Sequence, residues 1–231
     1  MKDIKSDIKD ICLCCGNAEF NNTPILWQEL IDDWQLSKKE KDYINIQQGM
    51  CCTKCGCNIR SIVLASAIMN QYSFTGIFKD FIKEFSQLKI LQINEAGQLN
   101  QFLELMENHI LVSYPKVDML ELPFKEECFD LVVHSDTLEH ISEPVKALKE
   151  TRRVLKSTGK TCYTVPVIID RLTKDRKGLK PSYHGSPGND EYLVNREYGS
   201  DFWKELLNAG YSQCSIFTYK YPSGIAIVGS K

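Results

Sequence analysis

No long apolar run occurs in this 231-residue chain, and that absence excludes a helix spanning a membrane: Ile62 to Met69 is too short to cross a bilayer. An excess of one charge is also missing. The net charge is −2, so no global basic field draws in nucleic acid, and no basic stripe interleaved with aromatics is present. The opening Met-Lys-Asp-Ile-Lys-Ser-Asp has no apolar core of the kind a secretion signal needs. These absences predict a cytoplasmic protein with no membrane and no nucleic-acid partner, a monomer or homodimer acting on small molecules. What remains is ordinary for a globular chain, with 43% hydrophobic and 25% charged residues.

Cysteine is plentiful instead. Seven of ten cysteines lie within the first 57 residues, and in a chain without an export signal such clusters point to metal before disulfide. Cys12-Leu13-Cys14-Cys15-Gly16 and Cys52-Thr53-Lys54-Cys55-Gly56 share a C-x-x-C-G pattern. Two residues between thiolates let the chain wrap one ion, and the glycine admits the turn that follows. Cys12, Cys15, Cys52 and Cys55 therefore predict a closed, structural Zn2+ site, with Cys14, Cys51 and Cys57 as spare thiols that leave the register open. Between the knuckles, Trp27, Leu30, Ile31 and Trp34 recur at helical spacing, a stripe that belongs to a core more often than to a ligand platform. The alternation in Tyr43 to Gln47 predicts a strand. A helix is expected from Asn58 through Met69. Gln71 to Gly76 marks a junction, dividing a cysteine-rich module (residues 1–75) from the main domain (residues 76–231).

The stretch Leu122 to Val165 organises the rest. Phe129 to His134 is a short β-branched apolar run, as in a buried strand. Ser142 is placed to cap a helix with Pro144 in its first turn. Lys156 to Lys160 breaks that helix, and Thr161 to Val165 starts another strand. This strand–helix–strand order builds parallel sheets. Upstream, Phe78, Phe81, Ile82 and Phe85 mark one helix face, and Lys89 to Ile93 and His109 to Ser113 read as strands. Downstream, Asp201 to Leu207 reads as a helix, and Gln213 to Tyr219 with Ile225 to Val228 as a final antiparallel pair.

Phe129 to Val132, Leu138-Glu139-His140 and Arg153 to Lys156, in that order, resemble the class I S-adenosylmethionine (SAM) dependent methyltransferases, in particular the type 11-like ones with an N-terminal zinc ribbon. The resemblance implies an α/β, Rossmann-like sheet with SAM at the strand tips. The usual G-x-G-x-G loop is reduced to Asn94-Glu95-Ala96-Gly97, and on the resemblance Glu95 and Gly97 lie near the methionine part of SAM. The acidic residue that usually takes the ribose is replaced by Ser113. Asp118 matches the residue that accepts from the adenine amino group, with Met119 as an apolar neighbour of the ring, although a turn cap is the other reading of Asp118. His134, ending a strand, is expected to meet the methionine part through backbone or ring, and Ser135 and Asp136, which follow it, to face cofactor or substrate. Arg60 matches a family arginine that docks the ribbon or lines the cleft; a solvated helix-start arginine is the alternative. His140 is expected to pack rather than react. The long loop from Pro166 to Gly188 suits a lid, with His184 as the base and Tyr183 and Arg171 positioning substrate. The reduced loop and missing ribose acid also admit a second reading, a catalytically weak or inactive binding protein on the same fold.

Overall fold

A computed structural model describes residues 11–184 and 192–231. The cysteine-rich stretch opens with strand β1 (Phe20–Asn22), followed by helices α1 (Gln28–Asp33) and α2 (Lys38–Gly49) and strand β2 (Met50–Cys52). β1 pairs antiparallel with β2, which brings the two cysteine knuckles side by side. Tyr43 to Gln47, expected as a strand, instead lies inside α2. The reason is upstream: Ser37 accepts from the Glu40 N–H while the Glu40 carboxylate accepts from the Ser37 N–H, a reciprocal cap that starts the helix. Tyr43 and Gln47, four residues apart, are then buried on one face.

Helix α3 (Ile59–Gln71) begins where the Asn58 side chain accepts from the Ser61 N–H at 2.9 Å. Ile62, Val63, Leu64 and Ala65 are all fully buried, so this helix is covered on every side rather than on one stripe. α4 (Phe78–Glu84) follows, presenting Phe78, Phe81 and Ile82 to the same core as expected, and the short α5 (Asn100–Leu103) adds Phe102 and Leu103 to it.

The main sheet contains β3 (Ile90–Ile93), β4 (His109–Val112), β5 (Phe129–Ser135), β6 (Leu155–Thr164), β10 (Gln213–Tyr219) and β11 (Gly224–Ser230) in the order β10-β11-β6-β5-β3-β4. β4, β3, β5 and β6 run parallel, and β11 and β10 close the sheet antiparallel, as the sequence predicts for the last pair. Alternate residues face opposite layers. Ile90, Leu131, Val133, Cys162, Ala226 and Val228 join α3, α4 and the cysteine knuckles. On the other face, Leu91, Val132, Tyr163 and Ile227 meet α6 (Pro144–Val154) and α7 (Lys204–Asn208). This is a doubly wound α/β sheet.

Two local expectations change. Ser142 does not cap α6; Glu143 occupies the cap position without a side-chain bond, and Pro144 takes the first turn as expected. The break at Lys156 to Lys160 lies within β6 rather than before it. Phe129 pairs with Leu155 and Leu131 with Lys160, so residues 156–159 bulge out of the ladder. No strand occurs in residues 113–128, which leaves β4 as a half-exposed edge. No helix among the described residues is long and apolar enough to cross a membrane.

After β6, the expected lid is largely strapped down. β7 (Val167–Ile168) pairs parallel and β8 (Lys174–Asp175) antiparallel with β9 (Arg196–Gly199). Trp34 Nε1 donates to Ser182 Oγ at 2.9 Å, tying this segment to α1. Gly185 to Gly188, part of that lid reading, lie outside the described residues.

Candidate functional site

The four predicted cysteines converge. One sulfur each from Cys12, Cys15, Cys52 and Cys55 lies within 4.8 Å of the other three, with Cys12–Cys55 and Cys15–Cys52 both at 3.6 Å. A tetrahedral zinc–thiolate site with bonds of about 2.3 Å places its sulfurs about 3.8 Å apart, so this donor set fits the ion. Gly16 (φ 79°) and Gly56 (φ 72°) adopt the left-handed turn that each knuckle requires. Hydrogen bonds from the Cys14 and Cys55 thiols hold the Cys12 thiol down to about 5, so thiolate forms readily here. Cys14 and Cys57 are fully buried in the core beside the cluster.

A cavity of about 560 Å³ opens at the carboxyl ends of β3, β4 and β5. Its walls include Glu95, Ser113, Asp118 and Met119, four of the residues the sequence assigned to a cofactor, together with Asp136 and His140. Position follows from topology, since ligands of open α/β sheets sit beyond the carboxyl ends of the strands. Asn94, at φ 58°, turns the chain out of β3, and its side chain accepts from the Tyr114 N–H at 3.1 Å. The tips of β3 and β4 are thereby tied together. Asp118 Oδ1 accepts from the Leu120 N–H at 2.8 Å, the turn-capping role. Its second oxygen can still accept from a ligand.

Gly97 and His134 depart from expectation. Gly97 begins a 3-10 turn, and a Cβ there would lie 3.4 Å from Arg60 Nη2, so its open side faces the start of α3 rather than the cavity. His134 is fully buried within the sheet, stacked on Tyr163 at 4.5 Å. Neither ring nitrogen has a hydrogen-bond partner, and burial pushes its pKa down to about 3. It is a neutral core residue. Two residues on, Asp136 does line the cavity.

A second cavity, about 400 Å³, lies between α1, α2 and the end of β6. Trp27, Leu30, Trp34, Ile44 and Ile168 give it an apolar wall; Gln48, Arg60, Asp136 and His184 add polar groups. The aromatic stripe expected to be core thus also lines a cavity. Among the described residues Asp136 lines both cavities. Its Oδ2 accepts from Gln48 Nε2 at 2.9 Å and pairs with Arg60, which lines this cavity and is not the solvated helix-start arginine. Asp136 Oδ1 is buried without a partner. Behind Asp136, Glu139 is fully buried, and burial raises its carboxyl to about 8.

Of the residues expected to handle substrate, His184 alone lines the apolar cavity. Its ring packs 5.4 Å from Trp34. Burial, aided by His140, Arg176 and Arg60, pushes its pKa down to about 3. A general base must hold the proton it takes, and this setting disfavours the imidazolium, so the base assignment is corrected. Arg171, expected to position substrate, is committed elsewhere: its guanidinium binds both Glu40 oxygens and donates to the Trp34 and Gln35 carbonyls. Tyr183 bridges to Leu193 through its backbone and lines neither cavity. Asp136 stands where the sequence expects a residue facing cofactor or substrate, just beyond a strand that ends at the sheet's ligand-binding edge. Sequence reasoning gave Glu139 no role; its place in the turn after that strand was the only local signal.

Residues 81–163 match the family model described as a methyltransferase domain. An uncharacterized protein of Methanocaldococcus jannaschii is 36% identical over 100 residues, 43% of this chain and 40% of that one. The ubiquinone/menaquinone biosynthesis C-methyltransferase of Proteus mirabilis is 29% identical over 127 residues, 52% of this chain and 49% of that one. The chain thus spans under half the length of either relative. A solved SAM-dependent methyltransferase of Thermotoga maritima covers 75% of this chain and 90% of its own, at 15% identity and a TM-score of 0.43.

Proposed function

We propose, for a chain that belongs through residues 81–163 to the class I SAM-dependent methyltransferases, that the cavity at the tips of β3, β4 and β5 holds SAM and that the adjoining apolar cavity holds a small-molecule methyl acceptor. One observation carries this: Asp136 is a wall of both cavities, so a donor in one and an acceptor in the other meet at a shared boundary. When bound, SAM supplies a methyl group already activated on a sulfonium. What the protein adds is position. Asp118 accepts from the adenine amino group through its second oxygen, and Met119, buried beside it, covers the ring. Glu95 and Ser113 are available to the ribose and methionine parts. Asp136, pinned by Arg60 and Gln48, fixes the boundary between the two cavities. Trp27 and Trp34 favour an acceptor that is largely apolar with one polar end, and their bulk helps to exclude water. Cys12, Cys15, Cys52 and Cys55 hold a structural zinc ion that fixes the knuckles.

Calorimetric titration tests the cofactor reading. SAM, or its demethylated product, is expected to bind with micromolar affinity, and Asp118→Ala to weaken binding roughly tenfold, the loss of one hydrogen bond to a charged acceptor. Absence of binding at millimolar ligand would overturn it and leave a binding protein on a methyltransferase fold.

A further inference from the structure

Buried Glu139 and the half-buried His140 and His184 form a group to which the reading above gives no chemical role. Glu139, His140 and His184 bring a carboxylate oxygen and two imidazole nitrogens within 4.8 Å of one another. Glu139 Oε1 lies 3.8 Å from His140 Nε2 and 4.0 Å from His184 Nδ1, too far for hydrogen bonds. The Glu139 side chain is fully buried, yet among the described residues neither of its oxygens has a hydrogen-bond partner. Buried carboxyl groups are ordinarily paired or bound to a metal.

The surroundings prepare these donors. His140 Nδ1 lies 2.9 Å from the Leu193 carbonyl. A carbonyl only accepts, so Nδ1 carries the hydrogen and Nε2 turns a bare lone pair toward Glu139. Orienting a ligand histidine through its far nitrogen is a recurrent feature of metal sites. Asn195 braces the same turn twice, its N–H donating to the Glu139 carbonyl and its side-chain amide to the His140 carbonyl, both at 2.7 Å. The two guanidiniums nearby are already neutralised: Arg60 pairs with Asp136, and Arg176 pairs with Asp33 and Glu197.

We propose that Glu139, His140 and His184 form a site for a divalent transition-metal ion of the zinc or iron(II) kind, separate from the four-cysteine cluster. Two nitrogens and one carboxylate with open positions left over are the donor set those ions take. Bonds of about 2.1 Å put such donors roughly 3.0–3.4 Å apart, so closure on the ion needs shifts of less than about 1 Å. His140 lines the cofactor-sized cavity and His184 the apolar one, which places the ion at their seam. There a polar atom of the acceptor completes the coordination. That role rests on the methyltransferase reading; the binding of metal does not.

The test is a metal count on the full-length protein after equilibrium dialysis against zinc, and against cobalt(II), without SAM. Two equivalents are expected in the parent protein and one in Glu139→Gln and His184→Ala. The second cobalt equivalent should add visible ligand-field bands with no thiolate charge transfer, and His184→Ala should lose those bands alone. Glu139 is buried and its variant could fail to fold, so His184→Ala, at a side chain 24% exposed, decides the matter once its circular dichroism matches the parent. One equivalent in the parent, or two retained in His184→Ala, overturns the proposal. Neither result bears on SAM binding, so the two readings fail separately.

Discussion

Arg171 and Glu40 show what one side chain can do across a distance in sequence that no local pattern spans. The Glu40 carboxylate is 4% exposed and accepts from Arg171 Nε at 2.6 Å and Nη2 at 2.8 Å. Those bonds hold its pKa down from 4.5 to about 2. A carboxyl lowered by folding contributes stability that is fully present above its unfolded value and fades as the solution is acidified through the window from 4.5 toward 2. The size is about 3 kcal/mol. Urea unfolding at a series of pH values should show that loss in the parent protein. In Arg171→Met the acid limb should flatten in this window, and stability at neutral pH should fall by roughly 3–5 kcal/mol, because Glu40 is left buried and unpaired. The cysteines were legible for the opposite reason: each knuckle is set by four consecutive residues and the glycine that follows them. For His184 the residue type alone suggested proton transfer, and its burial, which only packing determines, removed that role.

At the scale of an element, α2 is the instructive case. Alternation over five residues suggested a strand, and a capping pair three residues apart started a helix that runs through it. The cap acts on twelve residues, the alternation on five, and the longer cooperative unit prevails. Removing the cap with Ser37→Ala should cost about 1 kcal/mol. Hydrogen exchange should localise the effect to the first turn of α2; faster exchange spread evenly over the chain would contradict it. β5 and α6 were readable because their apolar periods are unambiguous and Pro144 marks the helix start. With no strand in residues 113–128, β4 is the edge of the sheet, a position its own residue pattern does not announce.

For the whole molecule, the cysteine knuckles do not stand apart from the sheet. Cys12, Cys14, Cys52 and Cys57 share one core with α3, α4 and the inner face of β3, β5, β6 and β11. A structural zinc ion contributes folding free energy directly. Chelation should therefore lower a single thermal transition, by on the order of 10 °C for a chain of this size. Calorimetry showing two transitions, with the upper one unmoved by chelator, would separate the knuckles from the sheet and contradict the shared core.

Spacing along the chain was enough for the cysteine pairs, for the strands β3, β5 and β6 and for the antiparallel closing pair. Glu95, Ser113, Asp118 and Met119 came instead from the family resemblance, which sets a ligand beyond the carboxyl ends of the strands. Which polar side chains line a cavity and which are enclosed was settled by packing. His134 and Asp136 are two residues apart, yet one lies sealed in the sheet and the other lines both cavities. Burial is a sum over neighbours drawn from the whole chain, and it is burial that turned a predicted base into a neutral ring and left Glu139 without a hydrogen-bond partner.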